Sequence, residues 1–183
     1  ADGTVWAWGR NTQGQLGTGD TMARTQPAPV PTLSNVVAVA AGEAFSMALQ
    51  ADGTVLTWGH GAAGALGSGA LSSRNQPEAV ALPRPAMAIA AGANHALALL
   101  VDGSAFAWGR NNAGQTGSGS PSPSLLTPQA VAGPLGRDVV AIGASVTNFA
   151  VGDAVVASAG TKLGAHAEYC CIAADGVVVH KPA

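Results

Sequence analysis

The strongest constraint on this chain is a repetition with a step of 50 residues. Trp8-Gly9…Gly14-Gln-Leu-Gly17-Thr-Gly19 returns as Trp58-Gly59…Gly64-Ala-Leu-Gly67-Ser-Gly69, and again as Trp108-Gly109…Gly114-Gln-Thr-Gly117-Ser-Gly119. The Asp-Gly pairs Asp2-Gly3, Asp52-Gly53 and Asp102-Gly103 keep the same step. Periods of about 20–50 residues mark solenoids, propellers and arrays. In these each unit buries its apolar face only against its neighbours.

Each unit reads as four short β segments. In the first, Thr4–Trp8 alternates large and small residues behind an Asp-Gly turn. Gln26–Val30 carries prolines and suits an edge strand, while Val36–Ala40 and Phe45–Gln50 flank Gly42. The second unit gives Thr54–Trp58, Gln76–Val80, Met87–Ala90 and His95–Leu100; the third gives Ala105–Trp108, Pro128–Val131 and Val139–Ile142. Four strands per unit at this period predict an all-β fold, a partial β-propeller of three four-stranded blades with a short C-terminal β segment. The expected units are 1–51, 52–101 and 102–143, followed by a separate segment over 144–183.

The glycines at 14, 17 and 19 mimic a phosphate-cradling loop, but that loop opens a helix. Here residues 27–31 place three prolines in five positions, which breaks any helix. Three such loops at a fixed step also exceed what one nucleotide site needs, so the glycines are expected to be blade turns. Charged residues make up 10% of the chain against about 25% in ordinary domains, and the formal net charge is −2. That balance offers no footprint for nucleic acid or an anionic membrane. Pro85 to Val101 is uncharged, but too short and too broken to be a membrane span. Cys170 and Cys171 are adjacent and alone, which excludes a disulfide framework.

The pattern W-G-R-N-x-x-G-Q-L-G-x-G, Q-P-x-x-V and V-V-A-V-A-A-G-x-x-x-S-x-A-L-x-x-D-G resembles the regulator of chromosome condensation repeat over residues 1 to about 143. The resemblance implies a seven-bladed propeller of four-stranded blades. Departures are local: Gly61 stands where Asn11 and Asn111 stand, and Ala65 replaces Gln15 and Gln115. The family's His-Ser pair survives in halves, as Phe45-Ser46 and His95-Ala96. After Ile142 the chain changes character. Val146-Thr-Asn-Phe-Ala-Val-Gly-Asp153, Gly164-Ala-His-Ala-Glu-Tyr169 and Lys181-Pro182 resemble part of the GroES-like domain of medium-chain dehydrogenase/reductases, near the quinone oxidoreductase branch, over about 135–183. Both ends read as cut.

The dehydrogenase likeness invites an oxidoreductase reading, but no glycine fingerprint between strand and helix follows, and no zinc-ligand set precedes. Cys170 and Cys171 read as small apolar residues, His166 as a surface or turn histidine, Glu168 as a carboxylate without an acid-base partner, and Asp153 and Asp175 as turn formers. No catalytic residue, cofactor or metal site is expected. Trp8, Trp58 and Trp108 share one register and are expected to pack between blades. Arg10, His60 and Arg110 share another, and Arg24 and Arg74 a third, so all five are candidates for a basic rim that docks an acidic protein surface. The expected function is a non-catalytic protein-binding module. The alternatives are a remnant of an NADPH-dependent quinone or alcohol oxidoreductase, or a fused or truncated product without selected function. Open blade faces also predict either association between copies that covers them or poor stability of the chain alone, because unpaired edges are left exposed.

Overall fold

The computed structural model describes residues 3–132 and the backbone strands Val139–Ile142 and Ala154–Val156. The strands in chain order are Trp6–Gly9 (β1), Arg24–Pro29 (β2), Val36–Ala41 (β3), Phe45–Gln50 (β4), Val55–Gly59 (β5), Arg74–Ala79 (β6), Ala86–Ala91 (β7), His95–Leu100 (β8), Ala105–Arg110 (β9), Ser124–Ala130 (β10), Val139–Ile142 (β11) and Ala154–Val156 (β12). Every strand expected between residues 4 and 142 is present. The largest displacement is β10, which starts four residues early because Ser124 and Leu125 pair with Arg110 and Gly109 ahead of a bulge.

The sheets straddle the sequence repeat. β3-β4-β5-β6 forms one antiparallel sheet and β7-β8-β9-β10 the next. Each therefore takes two strands from one 50-residue unit and two from the following one. β1 and β2 form a two-stranded sheet, while β11 and β12 pair in parallel. The phase follows from the connections. The Asp52-Gly53 pair closes the tight β4–β5 hairpin: Gly53 takes φ +87°, and the Asp52 carboxylate accepts the Thr54 N–H at 2.9 Å. Among the described residues the links that leave a sheet are 30–35 and 80–85, and both carry proline. Reading units from the Asp-Gly pairs cuts every blade at its central hairpin.

Position in the sheet explains composition. β2, β6 and β10 are the outer strands, and Pro27, Pro29, Pro77 and Pro128 sit on them, where a missing N–H breaks no inner ladder. β3 and β7 start the full sheets and touch each other across the blade boundary, so they are built from alanine, valine, isoleucine and methionine. Between the two full sheets Phe45, Met47, Leu49 and Leu66 meet Ala96, Ala98, Leu100 and Trp108 in the largest apolar cluster.

Neighbouring blades are latched by tryptophan. The Trp58 indole Nε1 donates to the Gln15 carbonyl at 2.9 Å, and Trp108 Nε1 donates to the Ala65 carbonyl at 3.0 Å. Each indole reaches back into the glycine loop of the preceding repeat. The glycines make room for it: a Cβ at Gly17 or Gly67 would lie 2.8 or 2.9 Å from the indole nitrogen, and both residues hold positive φ. Trp8 departs from the expected packing. It is 61% exposed, whereas Trp58 is 3% and Trp108 0%. Among the described residues no glycine loop lies in front of it.

Candidate functional site

The five basic candidates lie at one end of the sheets. The backbone N–H of His60 donates to Ala44 O, and that of Arg110 to Asn94 O, each at 2.8 Å, fixing His60 just past β5 and Arg110 at the end of β9, each at the tip of the preceding hairpin. Gly9 faces Arg24 and Gly59 faces Arg74 across the outer strand pair. Arg10 therefore neighbours Arg24, and His60 neighbours Arg74. The third repeat places Ser124 opposite Arg110.

Their electrostatics differ. Arg10 Nε donates to Thr12 Oγ1 and Arg110 Nε to Asn112 Oδ1, both at 3.0 Å, and neither forms an ion pair among the described residues. Arg24 is neutralised by Asp20 at 2.6 Å, and Arg74 by Glu78 at 2.9 Å. The hydrogen bond from Arg24 holds the Asp20 carboxyl below its usual pKa. The free positive charge of this rim thus sits on Arg10 and Arg110.

Beside this row a groove of about 420 Å³ runs between the first two repeats, lined by Thr12, Gln13, Thr21, Arg74, Asn75 and Gln76. Apart from Arg74, already a rim candidate, these residues carry no motif and sequence reasoning did not single them out; Glu78, the partner of Arg74, lines the groove as well. The wall formed by Thr12, Gln13 and Thr21 depends on a buried asparagine. Asn11 Nδ2 donates to the Asp20 and Met22 carbonyls, and its Oδ1 accepts the Leu16 N–H. Asn111 repeats the arrangement with Ser120, Ser122 and Thr116. Where Gly61 replaces the asparagine, the backbone closes in: a Cβ there would lie 2.1 Å from Ser72 O. Asn11 thus clamps the loop that forms one wall of the groove, and Asn111 clamps the equivalent loop of the third repeat.

Other polar candidates are spent on structure. Ser46 Oγ donates to the Gln15 carbonyl at 2.8 Å, beside the Trp58 indole. His95 is buried on Gly92, as Phe45 is on Gly42, and its Nε2 has no hydrogen-bond partner. Burial lowers its pKa to about 4, so it stands neutral. Among the described residues no group of three His, Cys, Asp or Glu is placed to hold a metal ion, and no helix is long and apolar enough to cross a membrane. Asp153, His166, Glu168, Cys170, Cys171 and Asp175 lie outside the described residues.

The regulator of chromosome condensation (RCC1) repeat matches residues 2–49, 52–99 and 102–153. The chain belongs to the RCC1 repeat family. The third matched repeat runs through 144–153, which the sequence reading had placed in the separate C-terminal segment. A comparison with curated proteins gave no match. Among solved structures the chain is similar to Prp20p from Saccharomyces cerevisiae, described with its binding to Gsp1p and histones, at TM-score 0.66 and 22% identity over 74% of this chain and 35% of that one. It is similar to human WBSCR16 at TM-score 0.65 and 24% identity, over 72% and 35% of the two chains. It also resembles a chain in the structure of Kap60 bound to yeast RCC1 (Prp20), at TM-score 0.61 and 29% identity over 70% and 33%. The chain therefore spans about a third of the length of these RCC1-type structures. Over the matched part they share the partial-propeller fold described above.

Proposed function

We propose that this chain is a non-catalytic protein-binding module whose basic rim docks an acidic protein surface. The observation that carries the reading is the repeated cation at one sheet end, unpaired in Arg10 and Arg110, with a polar groove between the first two repeats whose one wall is the loop clamped by Asn11. Relatives that share the fold support a binding role: Prp20p is described with Gsp1p and histones, and with Kap60. The oxidoreductase remnant has no observation in its favour among the described residues.

The test is titration with a glutamate-rich peptide at low and physiological salt. Arg10→Glu with Arg110→Glu should weaken binding about tenfold or more at low salt, with the difference shrinking as salt rises. Arg24→Gln with Arg74→Gln should change it far less, because those charges are already matched by Asp20 and Glu78. Equal losses in both pairs, or no binding by the unaltered chain, would count against the rim.

A further inference from the structure

Consecutive repeats meet through the same backbone contacts but with different linings. Between the first two, Thr12, Gln13, Thr21 and Asn75 line the groove, and Glu78 adds a carboxylate. Between the second and third, the Gly69 N–H donates to Leu126 O at 2.8 Å, as the Gly19 N–H donates to Asn75 O at 2.9 Å. Gln129 pairs with Ala107 as Glu78 pairs with Thr57. Leu126 therefore stands for Asn75, and Gln129 for Glu78. In the loops Ala62, Ala63 and Leu71 stand for Thr12, Gln13 and Thr21 at the 50-residue step. Each of these changes removes a polar group or a charge.

The apolar residues gather at one short turn. Ala62–Gly64 forms a 3-10 turn that packs against β10. At its start a Cβ on Gly61 would lie 3.0 Å from Leu71 O; at its end a Cβ on Gly64 would lie 2.9 Å from Leu126 Cδ2. Leu71 is 59% exposed, and Leu126, Ala62 and Ala63 are half-buried, so apolar surface of this turn stays open to water. The fold does not require leucine in that loop, because Thr21 holds the same place in the first repeat. Charge differs as well. Arg110 stands opposite Ser124, two residues along β10 from Leu126, and forms no ion pair among the described residues. At the first groove Arg74 is matched by Glu78 at 2.9 Å; here the neutral Gln129 takes the place of that carboxylate.

We propose that the turn between Leu71 and Leu126 seats a leucine-sized apolar side chain of an acidic protein segment whose carboxylates pair with Arg110. This rests on the basic-rim reading and adds to it the kind of segment the rim selects. Charge complementarity chooses the occupant. A segment with basic residues beside its leucine would meet an unmatched guanidinium, and an acidic segment without one would leave the two leucines hydrated. Covering them removes apolar area from water, while Arg110 supplies an attraction that salt screens. The two contributions therefore separate when salt is varied.

Fluorescence anisotropy of the full chain with two labelled peptides tests this. One is a glutamate-rich peptide with a single central leucine, and the other carries serine in its place. The leucine peptide should bind about tenfold more tightly, and that ratio should persist as salt rises while both affinities fall. Leu71→Thr with Leu126→Asn installs the residues of the first groove and should abolish the ratio. Leu71→Thr alone changes an exposed loop residue and should reduce the ratio about threefold without disturbing the fold. Equal affinities for the two peptides, or a ratio that survives in both variants, would overturn the apolar seat and leave the rim standing. Failure of both peptides to bind would overturn the rim and the seat together.

Discussion

Trp108→Ala should lower the unfolding free energy by about 4 kcal/mol, the usual scale for emptying a buried aromatic site. The side chain is fully buried between two sheets, and its indole supplies the hydrogen bond to Ala65 O across the blade boundary. The loss has two separable parts. Trp108→Phe keeps most of the apolar area but orphans the carbonyl, so it should cost about 1–2 kcal/mol from that source. Trp8→Ala, at the same register, should change the stability of a single copy by less than about 0.5 kcal/mol, because that side chain is mostly exposed. Urea unfolding of the three variants at low concentration measures the contrast. Similar costs at Trp8 and Trp108 would mean that sequence register alone, and not the loop in front of the indole, sets the contribution.

Acid should destabilise the fold through His95. Its pKa in the folded chain lies near 4 against 6.5 for the free group, because burial penalises the imidazolium. Between pH 6.5 and 4 the unfolded chain therefore binds a proton that the folded chain resists, and stability falls as pH falls. Above pH 6.5 the group is neutral in both states and contributes no slope. Across the whole window the loss is about 3 kcal/mol. His95→Phe installs the residue that the preceding repeat already carries at Phe45 against Gly42, and it removes the unpaired Nε2. The variant should be at least as stable at pH 7 and should lose most of the slope between pH 6.5 and 4. A slope unchanged in the variant would place the titrating group elsewhere.

Much of this was legible in the sequence because repetition averages out local ambiguity. The strands, the edge role of the proline segments and the turn role of the glycines follow from residues that recur at a 50-residue step. The half-repeat offset between sequence unit and sheet was not legible, since Asp52-Gly53 marks a hairpin equally well inside a blade or between blades. The exposure of Trp8 was also hidden: register predicts what a residue can do, and only the neighbouring blade decides whether it is covered. At the rim the sequence placed five basic groups at one end. It did not reveal that Asp20 and Glu78, each four residues from its arginine, neutralise two of them. The clamping role of Asn11 and Asn111 had a signal, namely that they sit ahead of the glycine loop in two repeats and give way to Gly61 in the other.

The most direct test is hydrogen exchange at the tryptophan indoles of the Trp8→Ala variant, followed by NMR. Three indole N–H signals remain. If blades are latched through the glycine loops, Trp58 and Trp108 exchange slowly, at rates set by unfolding, while the exposed Trp6 exchanges like free indole. Trp58 and Trp108 exchanging as fast as Trp6 would contradict the latch and, with it, the arrangement of consecutive blades described here.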